Sequence, residues 1–211
     1  MSFEEERKNL IESLKQRGYL SKPEVIEAML KVERHKFVPK DLQDQAYVDT
    51  PLPIGQEQTI SAPHMVAIMS ETLDVKPNHK ILEIGTGSGY QAAVLAEIAK
   101  NGKIYTIERI PELAKQAKKN LAKCGYKNIE VIMANGTLGY ELKAPFDRII
   151  VTAGALNVPQ VLVDQLKDGG KMLIPVGGRF FQDLILVEKR AGKITKKNLG
   201  GCMFVPLIGP Q

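Results

Sequence analysis

Two places in this 211-residue chain could bind a ligand, and both lie where a predicted strand ends. The segment EIGTGSGY places Gly85, Gly87 and Gly89 between a strand and a helix. Glycines there permit positive φ and let a ligand approach the backbone, while the helix start offers free N–H groups. Glu108 ends the next strand, about 20 positions further on, where a carboxylate can accept hydrogen bonds from both hydroxyls of a ribose. Together the two segments indicate a ligand that contains adenosine.

Two further candidate sites follow later strands. Asn135 and Gly136 come after IEVIM, where an amide could hydrogen-bond an adenine edge, and Thr152 comes after a strand and precedes small residues. Enzymes that methylate base amino groups in nucleic acids typically have an Asn/Asp-Pro-Pro-aromatic run at this last position.

In the glycine turn, Tyr90 replaces the third glycine of a dinucleotide fingerprint, which argues against a bound pyrophosphate.

The order of the predicted elements explains how these segments could meet. From residue 80 onward, β-branched runs alternate with helical segments, which is typical of right-handed βαβ units and a parallel sheet covered on both faces. Ligands of such sheets bind at the carboxyl ends of the strands. The predicted strands are KILEIG, KIYTIE, IEVIM, DRIIVTA and KMLIPVG, and the predicted helices lie around 89–100, 111–123 and 158–166. DLILVEKR and GCMFVPLIG predict two more strands, joined as a hairpin.

The N-terminal part of the chain has a mainly helical pattern. One face of its first predicted helix is apolar and consists of Leu10, Ile11 and Leu14. Ser21 with Glu24 predicts a capping box that opens a second helix. We therefore expect one domain over residues 1–211, in which 1–74 form the N-terminal helices and a substrate loop, and 75–211 form the core.

A segment rich in proline and glycine, DTPLPIGQEQTIS, follows these helices and predicts an irregular loop. At its end Ser61 takes the place of a helix N-cap, because Pro63 suits the first turn of a helix. The Ser61 hydroxyl could accept a hydrogen bond from a free N–H of that turn. Whether it also faces a ligand depends on the rest of the chain.

The composition restricts the class of protein. With 44% hydrophobic and 25% charged residues the chain can bury a substantial core, and no stretch approaches the roughly 18 apolar residues of a membrane span. The first residues lack the apolar core of a signal peptide, so we expect a cytoplasmic protein with no membrane partner. Cys124 and Cys202 lie far apart without a metal-ligand spacing, which favours neither a disulfide framework nor a metal site.

The net charge of +5 could indicate an acidic partner. The lysines lie mostly in KQAKKN and KITKKN, without the interleaved aromatic residues of a nucleic-acid stacking surface. We interpret them as solvated faces. The expected protein is a monomer that binds no nucleic acid.

Several motifs together resemble one family. QTISAPHM, ILEIGTGSGY, APFDRIIVTAGA, GGKMLIPVG and FVPLIG are similar to the protein-L-isoaspartate (D-aspartate) O-methyltransferases, from about residue 5 to residue 209. The glycine turn is shared by many S-adenosylmethionine enzymes, whereas LPIG, QTIS and FVPL are specific to this family. The resemblance implies a class I methyltransferase fold: an α/β, Rossmann-like doubly wound sheet of seven strands with an antiparallel edge strand and an N-terminal helical appendage.

The resemblance also implies a reaction. A methyl group would pass from S-adenosyl-L-methionine, leaving S-adenosyl-L-homocysteine, to the α-carboxylate of L-isoaspartyl residues in damaged proteins and peptides. The ester would then close to a succinimide, whose hydrolysis restores some aspartate. A free α-carboxyl has a pKa of roughly 3.5 and is already a nucleophile at neutral pH, so positioning matters more than a general base.

Roles for individual residues follow from the resemblance. Ser61 would be the catalytic residue and, with Thr59 and free N–H groups at the helix start, would hold the isoaspartyl carboxylate where the helix dipole favours an anion. The residues that would bind the cofactor are Gln58, Thr59, Ile60, Glu83, Gly85, Thr86, Gly87, Ser88, Gly89, Glu108, Arg109, Asn135, Gly136 and Thr152. Those that would bind the substrate are Ile54, Ser61, His64 and Val205, and for three of them, Ile54, His64 and Val205, core packing is the alternative.

At one position the chain departs from the family, which usually has Asp-Gly where this chain has Asn135 and Gly136. An amide oxygen can still accept from the adenine amino group, but without charge assistance. Asn-Gly is also the dipeptide most inclined to deamidate. We therefore hypothesise that Asn135 converts slowly to aspartate or isoaspartate.

Two other functions stay open at the level of sequence. One is methylation of RNA or a small molecule on the same fold, which the basic charge permits and the missing base-binding motif disfavours. The other is a non-catalytic module that binds an adenosine ligand. The intact QTIS segment and Glu108 argue against the second.

Overall fold

The helices surround a central sheet and begin close to the predicted positions. The computed structural model describes residues 1–209. The α-helices of this part are α1 (Phe3–Gln16), α2 (Pro23–Lys31), α3 (Pro63–Leu73), α4 (Tyr90–Ile98), α5 (Pro111–Lys123) and α6 (Gln160–Asp164). Short 3₁₀ turns lie at Arg34–Phe37, Lys40–Gln45, Gly136–Leu138 and Glu141–Lys143.

The strands form a small hairpin and a seven-stranded sheet. They are β1 (Leu52–Gly55), β2 (Gln58–Ile60), β3 (Lys80–Ile84), β4 (Lys103–Glu108), β5 (Ile129–Met133), β6 (Phe146–Val151), β7 (Leu166–Gly178), β8 (Phe181–Arg190) and β9 (Lys193–Cys202). The sheet has the order β5-β4-β3-β6-β7-β8-β9. Strands β3 to β7 are parallel, and β8 runs antiparallel to both β7 and β9. The predicted α/β sheet with an antiparallel edge is confirmed.

Both faces of the sheet are buried, as a parallel sheet requires. Alternate residues of β3 pack into two different clusters, with Ile81 on one face and Leu82 and Ile84 on the other. The first cluster contains residues of α1 to α5, and the second contains Leu162 and Val163 of α6. The carboxyl ends of β3 to β7 therefore meet at one exposed edge, called the carboxyl edge below.

The N-terminal helices pack onto the first face of this sheet. The predicted face of α1 is buried and consists of Leu10, Ile11 and Leu14. In α2, Met29 is 1% exposed and belongs to the same cluster as Leu95 of α4. The helical appendage thus shares its core with the sheet.

The start of α2 corrects the predicted capping box. The N-cap is Lys22, and no side chain caps the helix locally, so the pairing of Ser21 with Glu24 is wrong. Instead the carboxylate of Glu71, on α3, accepts from the backbone N–H groups of Ser21 and Lys22 at 2.9 and 2.7 Å. An acid from a neighbouring helix replaces the local cap.

Two predicted segments differ in the structure. The expected irregular loop contains the hairpin of β1 and β2, whose turn places Gln56 and Glu57 at φ 55 and 56. Positive φ at both central residues is the geometry of a type I′ turn, which non-glycine residues rarely adopt. The second strand of the C-terminal hairpin is Lys193–Cys202 rather than GCMFVPLIG, because the turn occurs at Ala191 and Gly192, both with positive φ.

The residues after β9 cross the carboxyl edge instead of forming a strand. This segment, residues 203–208, is called the C-terminal strap below. It is joined to the end of β6 because Gly154 donates its N–H to the Val205 carbonyl and accepts from the Leu207 N–H, both at 2.8 Å. The strap therefore lies over the carboxyl ends of the parallel strands.

Among the described residues, no helix combines the length and apolarity that crossing a membrane would require.

Removing a core side chain of the appendage tests whether the chain unfolds as one domain. We expect Met29→Ala to lower the free energy of unfolding by about 2 to 5 kcal/mol, because the vacated volume cannot be refilled completely. Urea unfolding followed by circular dichroism should show one transition at a lower midpoint, with an unchanged slope. Two separate transitions, with the larger one unaffected, would mean that residues 1–74 unfold independently of the core.

Candidate active site

A cavity opens at the carboxyl edge, above the ends of β3, β4 and β6. Its wall consists of three groups of residues. The hairpin and the start of α3 contribute Gln58, Thr59, Ile60, Ser61 and Val66. The strand ends and the helices after them contribute Ile84, Gly85, Thr86, Gly87, Ser88, Tyr90, Gln91, Ile107, Glu108, Arg109, Ile110, Leu113, Gly136, Thr152 and Ala153, and the strap contributes Val205, Pro206, Leu207 and Ile208.

The glycine turn has the open backbone that the sequence predicts. Gly85, Gly87 and Gly89 have φ values of 97, 53 and 91, and Gly89 is the N-cap of α4. A Cβ atom on Gly85 would lie 2.5 Å from Oγ1 of Thr152, so no other residue fits there without displacing Thr152. Thr152 Oγ1 donates instead to the Gly85 carbonyl at 2.7 Å. The backbone of the turn is thus held close to the cavity.

Glu108 closes β4 beside this turn. Its Oε2 accepts from the Gly87 N–H at 2.9 Å, and its Oε1 accepts from the Ile110 N–H at 3.0 Å. These bonds fix the carboxylate between the turn and the start of α5. Each oxygen retains lone pairs for further donors, which suits a ligand with two neighbouring hydroxyls.

The residues after β5 divide into one that lines the cavity and one that does not. A Cβ atom on Gly136 would lie 2.4 Å from Cγ2 of Ile84, so only glycine fits against this wall. Asn135 lies outside the wall, and its Oδ1 accepts from the N–H and the Oγ1 of Thr137 at 3.0 and 2.9 Å. These bonds restrain the rotation of the side-chain amide, whose carbon must turn toward the Gly136 backbone nitrogen for deamidation. Conversion of Asn135 stays a prediction, and the structure gives a reason for it to be slow.

Glu83 is the buried polar residue behind the turn. Its side chain is fully buried, faces the same side of the sheet as Thr106, and accepts a very short hydrogen bond from the Thr106 hydroxyl. The Thr106 hydroxyl is also 2.7 Å from Oγ1 of Thr86, which lines the cavity. Burial raises the pKa of Glu83 to about 8, partly offset by the Thr106 hydrogen bond, and the Glu108 carboxylate raises it further. Glu83 therefore supports the turn from behind and does not line the cavity.

Ser61 lines the cavity but is not the predicted N-cap. The N-cap of α3 is Ala62, and no side chain caps the helix locally. Within residues 1–209 the Ser61 hydroxyl has no hydrogen-bond partner. The Ser61 hydroxyl, which the resemblance assigns to substrate binding, is therefore not used to cap α3.

The cap of α3 comes from Asp49, which the sequence reading missed. Asp49 Oδ1 accepts from the backbone N–H of His64 and is 2.9 Å from its Nδ1, while Oδ2 forms a 2.6 Å ion pair with Arg17. Burial acts to raise the pKa of Asp49, but the bonds from His64 and Arg17 outweigh it and keep the pKa below its usual range. His64 is thus turned toward Asp49 and packs near Tyr19, at 5.6 Å between ring centres, rather than lining the cavity.

A buried arginine holds the segment that carries Asp49. Arg34 is fully buried, and it donates from Nε to the Ala46 carbonyl at 2.9 Å and from Nη2 to the Thr50 carbonyl at 3.5 Å. Its guanidinium lies 5.0 Å from the ring centre of Tyr90, a residue of the cavity wall. Burial lowers the pKa of Arg34 to about 10, so it stays charged at neutral pH.

The structure thus gathers most of the predicted site residues around one cavity. Those outside its wall are Glu83, Gly89, Asn135, Ile54 and His64. Ile54 lines a neighbouring cavity with Phe37, Leu113 and the glycine turn. Besides Asp49, the sequence reading missed apolar wall residues such as Ile107 and Ile110. Their positions within two residues of Glu108 could have revealed them.

The residues present fit an adenosine ligand. The glycine turn would let the ligand come close to the protein backbone, and Glu108 would accept hydrogen bonds from the ribose hydroxyls. A doubly wound sheet with this turn after β3 and this acid at the end of β4 defines a class I S-adenosylmethionine-dependent methyltransferase.

Comparisons with known proteins identify the family. The sequence pattern of the family described as Protein-L-isoaspartate(D-aspartate) O-methyltransferase (PCMT) matches residues 5–211. The chain is 59% identical over 212 residues to Protein-L-isoaspartate O-methyltransferase of Methanopyrus kandleri, covering 99% of this chain and 94% of the relative. It is 57% identical over 201 residues to the protein of that name from Methanococcus aeolicus, covering 95% and 93%.

A solved structure agrees with these relatives. A Plasmodium falciparum protein described as a protein-L-isoaspartate O-methyltransferase, in complex with S-adenosyl-L-homocysteine, superposes with a TM-score of 0.86 at 32% identity, covering 96% of this chain and 98% of that one. The chain belongs to the protein-L-isoaspartate(D-aspartate) O-methyltransferase family. The resemblance drawn from the motifs and the predicted fold class are confirmed.

The buried acid generates a prediction about pH. Folded Glu83 keeps its proton up to about pH 8, whereas an unfolded glutamate loses it near 4.5. Its contribution to stability is therefore present below about pH 4.5 and is lost as the pH rises through about 8. In Glu83→Gln this loss is absent, so the Tm of the variant minus that of the wild type should grow from pH 5 to pH 9. Exposed Glu130→Gln is the control, and an equal, constant difference for both variants would contradict the raised pKa.

The capping of α3 by Asp49 leads to a second prediction, which concerns the methyl transfer for which the family is named. We expect Asp49→Ala to lower kcat for an isoaspartyl peptide about 10- to 100-fold, because the start of α3 and Ser61 lose their fixed position. The matched control is Glu71→Ala, which removes the corresponding cap of α2 away from the cavity and should cost about 1 kcal/mol of stability with kcat unchanged.

A double-mutant cycle separates positioning from general destabilisation. If Asp49 acts through Ser61, adding Asp49→Ala to Ser61→Ala should lower kcat no further. Additive losses would show that Asp49 acts independently of Ser61. Equal losses of kcat in Asp49→Ala and Glu71→Ala would show that Asp49 contributes stability alone.

Proposed function

We propose that this protein methylates the α-carboxylate of L-isoaspartyl residues in damaged proteins and peptides, with Ser61 as the catalytic residue. Membership of the family supports the reaction. The observation that supports the role of Ser61 is its place in the cavity wall, with a hydroxyl left without a partner because Asp49 caps α3. S-adenosylmethionine supplies an electrophilic methyl group when bound.

The substrate carboxylate would be held mainly by side-chain hydroxyl groups. The first N–H groups of α3 are not free: Pro63 has none, that of His64 donates to Asp49, and that of Met65 donates to the Ala62 carbonyl at 3.0 Å. The expected contribution of free helix N–H groups is therefore not supported. Ser61 and Thr59, which both line the cavity, remain as donors to the carboxylate.

The rest of the cavity suits a reaction that needs alignment more than proton transfer. A carboxylate is anionic at neutral pH without a base. The cavity wall that contains Ser61 also includes apolar side chains, among them Ile60, Val66 and Val205, which would exclude water from the reacting carboxylate. His64 faces Asp49 and is not available as a base in this arrangement. Catalysis would then come from positioning.

The alternative of an RNA substrate has little support in the cavity. Arg109 is the single positively charged residue of the described wall, and it lies beside Glu108. A phosphate backbone normally meets several Lys or Arg side chains. The cytoplasmic location, the monomeric state and the extent of a single domain stay predictions.

Methyl transfer from labelled S-adenosylmethionine to a short isoaspartyl peptide tests the proposal. We expect labelling of this peptide, none of the matched aspartyl peptide, and a loss of kcat of about 100-fold or more in Ser61→Ala, because the carboxylate loses a positioning donor. Exposed Ser13→Ala on α1 is the control variant and should behave as the wild type. Labelling of both peptides, or of RNA alone, would overturn the substrate assignment, and full activity of Ser61→Ala would overturn the role of the serine.

A further inference from the structure

Five large apolar side chains are exposed at the carboxyl edge, four of them outside the cavity wall and one, Ile208, within it. They are Leu156, Phe180, Phe181, Met203 and Ile208, and are called the apolar rim below. Each is more than half exposed, and Phe180 and Met203 reach 83% and 76%. Single exposed apolar residues are common, but several together at one edge mark a surface that binds something.

The aromatic part of the rim lies beside the start of the strap. Phe181 opens β8, and the pairing of Gln182 with Cys202 brings it next to the residues that precede Met203. A Cβ atom on Gly201 would lie 2.8 Å from the ring of Phe181, so the ring lies against this glycine. The β7–β8 turn and the first residue of the strap therefore form one surface.

A buried glutamine fixes this arrangement. Gln182 is 1% exposed, donates from Nε2 to the Gly178 carbonyl at 2.6 Å, and accepts from the Phe204 N–H at 2.7 Å. It thus joins the β7–β8 turn to the strap. A surface held in place before binding loses less conformational entropy when a ligand binds.

Leu156 joins the rim from the other side. The Gly177 N–H donates to the Ala155 carbonyl at 2.9 Å, which places the residues after β6 against the end of β7. Gly154, just before them, is hydrogen-bonded to the strap. The rim therefore extends from β6 to β9.

The rim is continuous with the cavity. Val205 to Ile208 of the strap line the cavity, while Met203 at its start is exposed and Ile208 at its end belongs to both surfaces. An isoaspartyl residue seated near Ser61 has polypeptide on both sides, and that chain must leave the cavity across the carboxyl edge. The strap is one wall that it passes.

We propose that the apolar rim binds apolar side chains of the substrate polypeptide at some distance from its isoaspartyl residue. The inference rests on the proposed function. Its occupant is an extended, locally unfolded segment of a damaged protein, because such a segment exposes the apolar residues that a folded protein would bury.

The geometry gives the distance at which the rim acts. From β6, where Thr152 lines the cavity, to β9 is three strand spacings, or about 14 Å at about 4.8 Å each. An extended chain covers this in about four residues, at about 3.3 to 3.6 Å per residue. An isoaspartyl tripeptide therefore cannot reach the far end of the rim, whereas an apolar residue about four positions away can.

Three peptides and two variants test this inference. The first peptide has nine residues, with isoaspartate in the centre and leucine at both ends; the second has serine at the ends; the third is an isoaspartyl tripeptide. The variant Phe180→Ser removes an exposed rim side chain. The control is Leu142→Ser, because Leu142 is equally exposed, at 83%, but lies in the turn before β6.

Binding of the nine-residue peptides is measured by fluorescence anisotropy with S-adenosylhomocysteine present, and methylation of the tripeptide is measured separately. We expect the wild type and Leu142→Ser to bind the leucine peptide more tightly than the serine peptide. In Phe180→Ser the Kd of the leucine peptide should rise about fivefold, or about 1 kcal/mol, and that of the serine peptide should not change. Tripeptide methylation should be equal in all three proteins.

Other outcomes would overturn the inference. The first is equal binding of the two nine-residue peptides by the wild type, and the second is an equal loss of affinity for both peptides in Phe180→Ser. The third is a sedimentation mass that falls from dimer in the wild type to monomer in that variant, which would assign the rim to a second copy of the chain. Failure to methylate the tripeptide would overturn the proposed function instead, while the two binding constants would still decide the role of the rim.

Discussion

The register between β3 and its two neighbours is the constraint on which the site depends. The Gly85 and Thr86 N–H groups both donate to the Ile107 carbonyl of β4, at 2.9 and 3.2 Å, and the Thr152 N–H donates to the Ile84 carbonyl at 2.9 Å. These bonds make the three strands end at the same level. Since a one-residue slip would turn every side chain to the other face, the register also decides that Glu83 is buried while its neighbours in the turn face the ligand.

A second principle of the fold is the use of distant acids to cap helices. Asp49 caps α3 and Glu71 caps α2, from 15 and about 50 positions away. A local serine often caps the start of a helix, and Ser61 and Ser21 were the natural candidates. The distant cap differs in its consequence, because it ties the loop before the hairpin to the helix and leaves the Ser61 hydroxyl for another partner. Arg34 extends this coupling to the wall residue Tyr90.

The parts of the fold that were predictable are those encoded locally. Buried β-branched runs and the glycine turn predicted β3 to β6, the carboxyl-edge site and Glu108, because period and spacing determine them. Burial of Glu83 had a signal too, since this acid lies within KILEIG, a run predicted as a strand buried on both faces. The hairpin of β1 and β2 had none, because Gln56 and Glu57 adopt positive φ against their preference. The Asp49 cap depends on a tertiary contact, and the strap depends on β9 starting at Lys193, eight residues earlier than the predicted strand.

The distribution of perturbed groups fits a reaction that moves no proton from the protein. Sites of acid–base catalysis place a group with a shifted pKa against the substrate. Here Glu83 and Arg34, whose pKa values shift most among the groups that bear on the site, lie behind its wall, where they hold the glycine turn and the Asp49 loop. Their burial costs stability, which is tolerated where it fixes geometry. Burial raises the pKa of the wall residue Tyr90 to about 12, which keeps its phenol protonated at neutral pH. The cavity itself presents hydroxyl groups, backbone and apolar surface, and its charged side chains, Glu108 and Arg109, lie together at the end of β4. Such a site can align an anionic oxygen that is reactive without activation, and it would be poorly suited to a substrate that first had to be deprotonated.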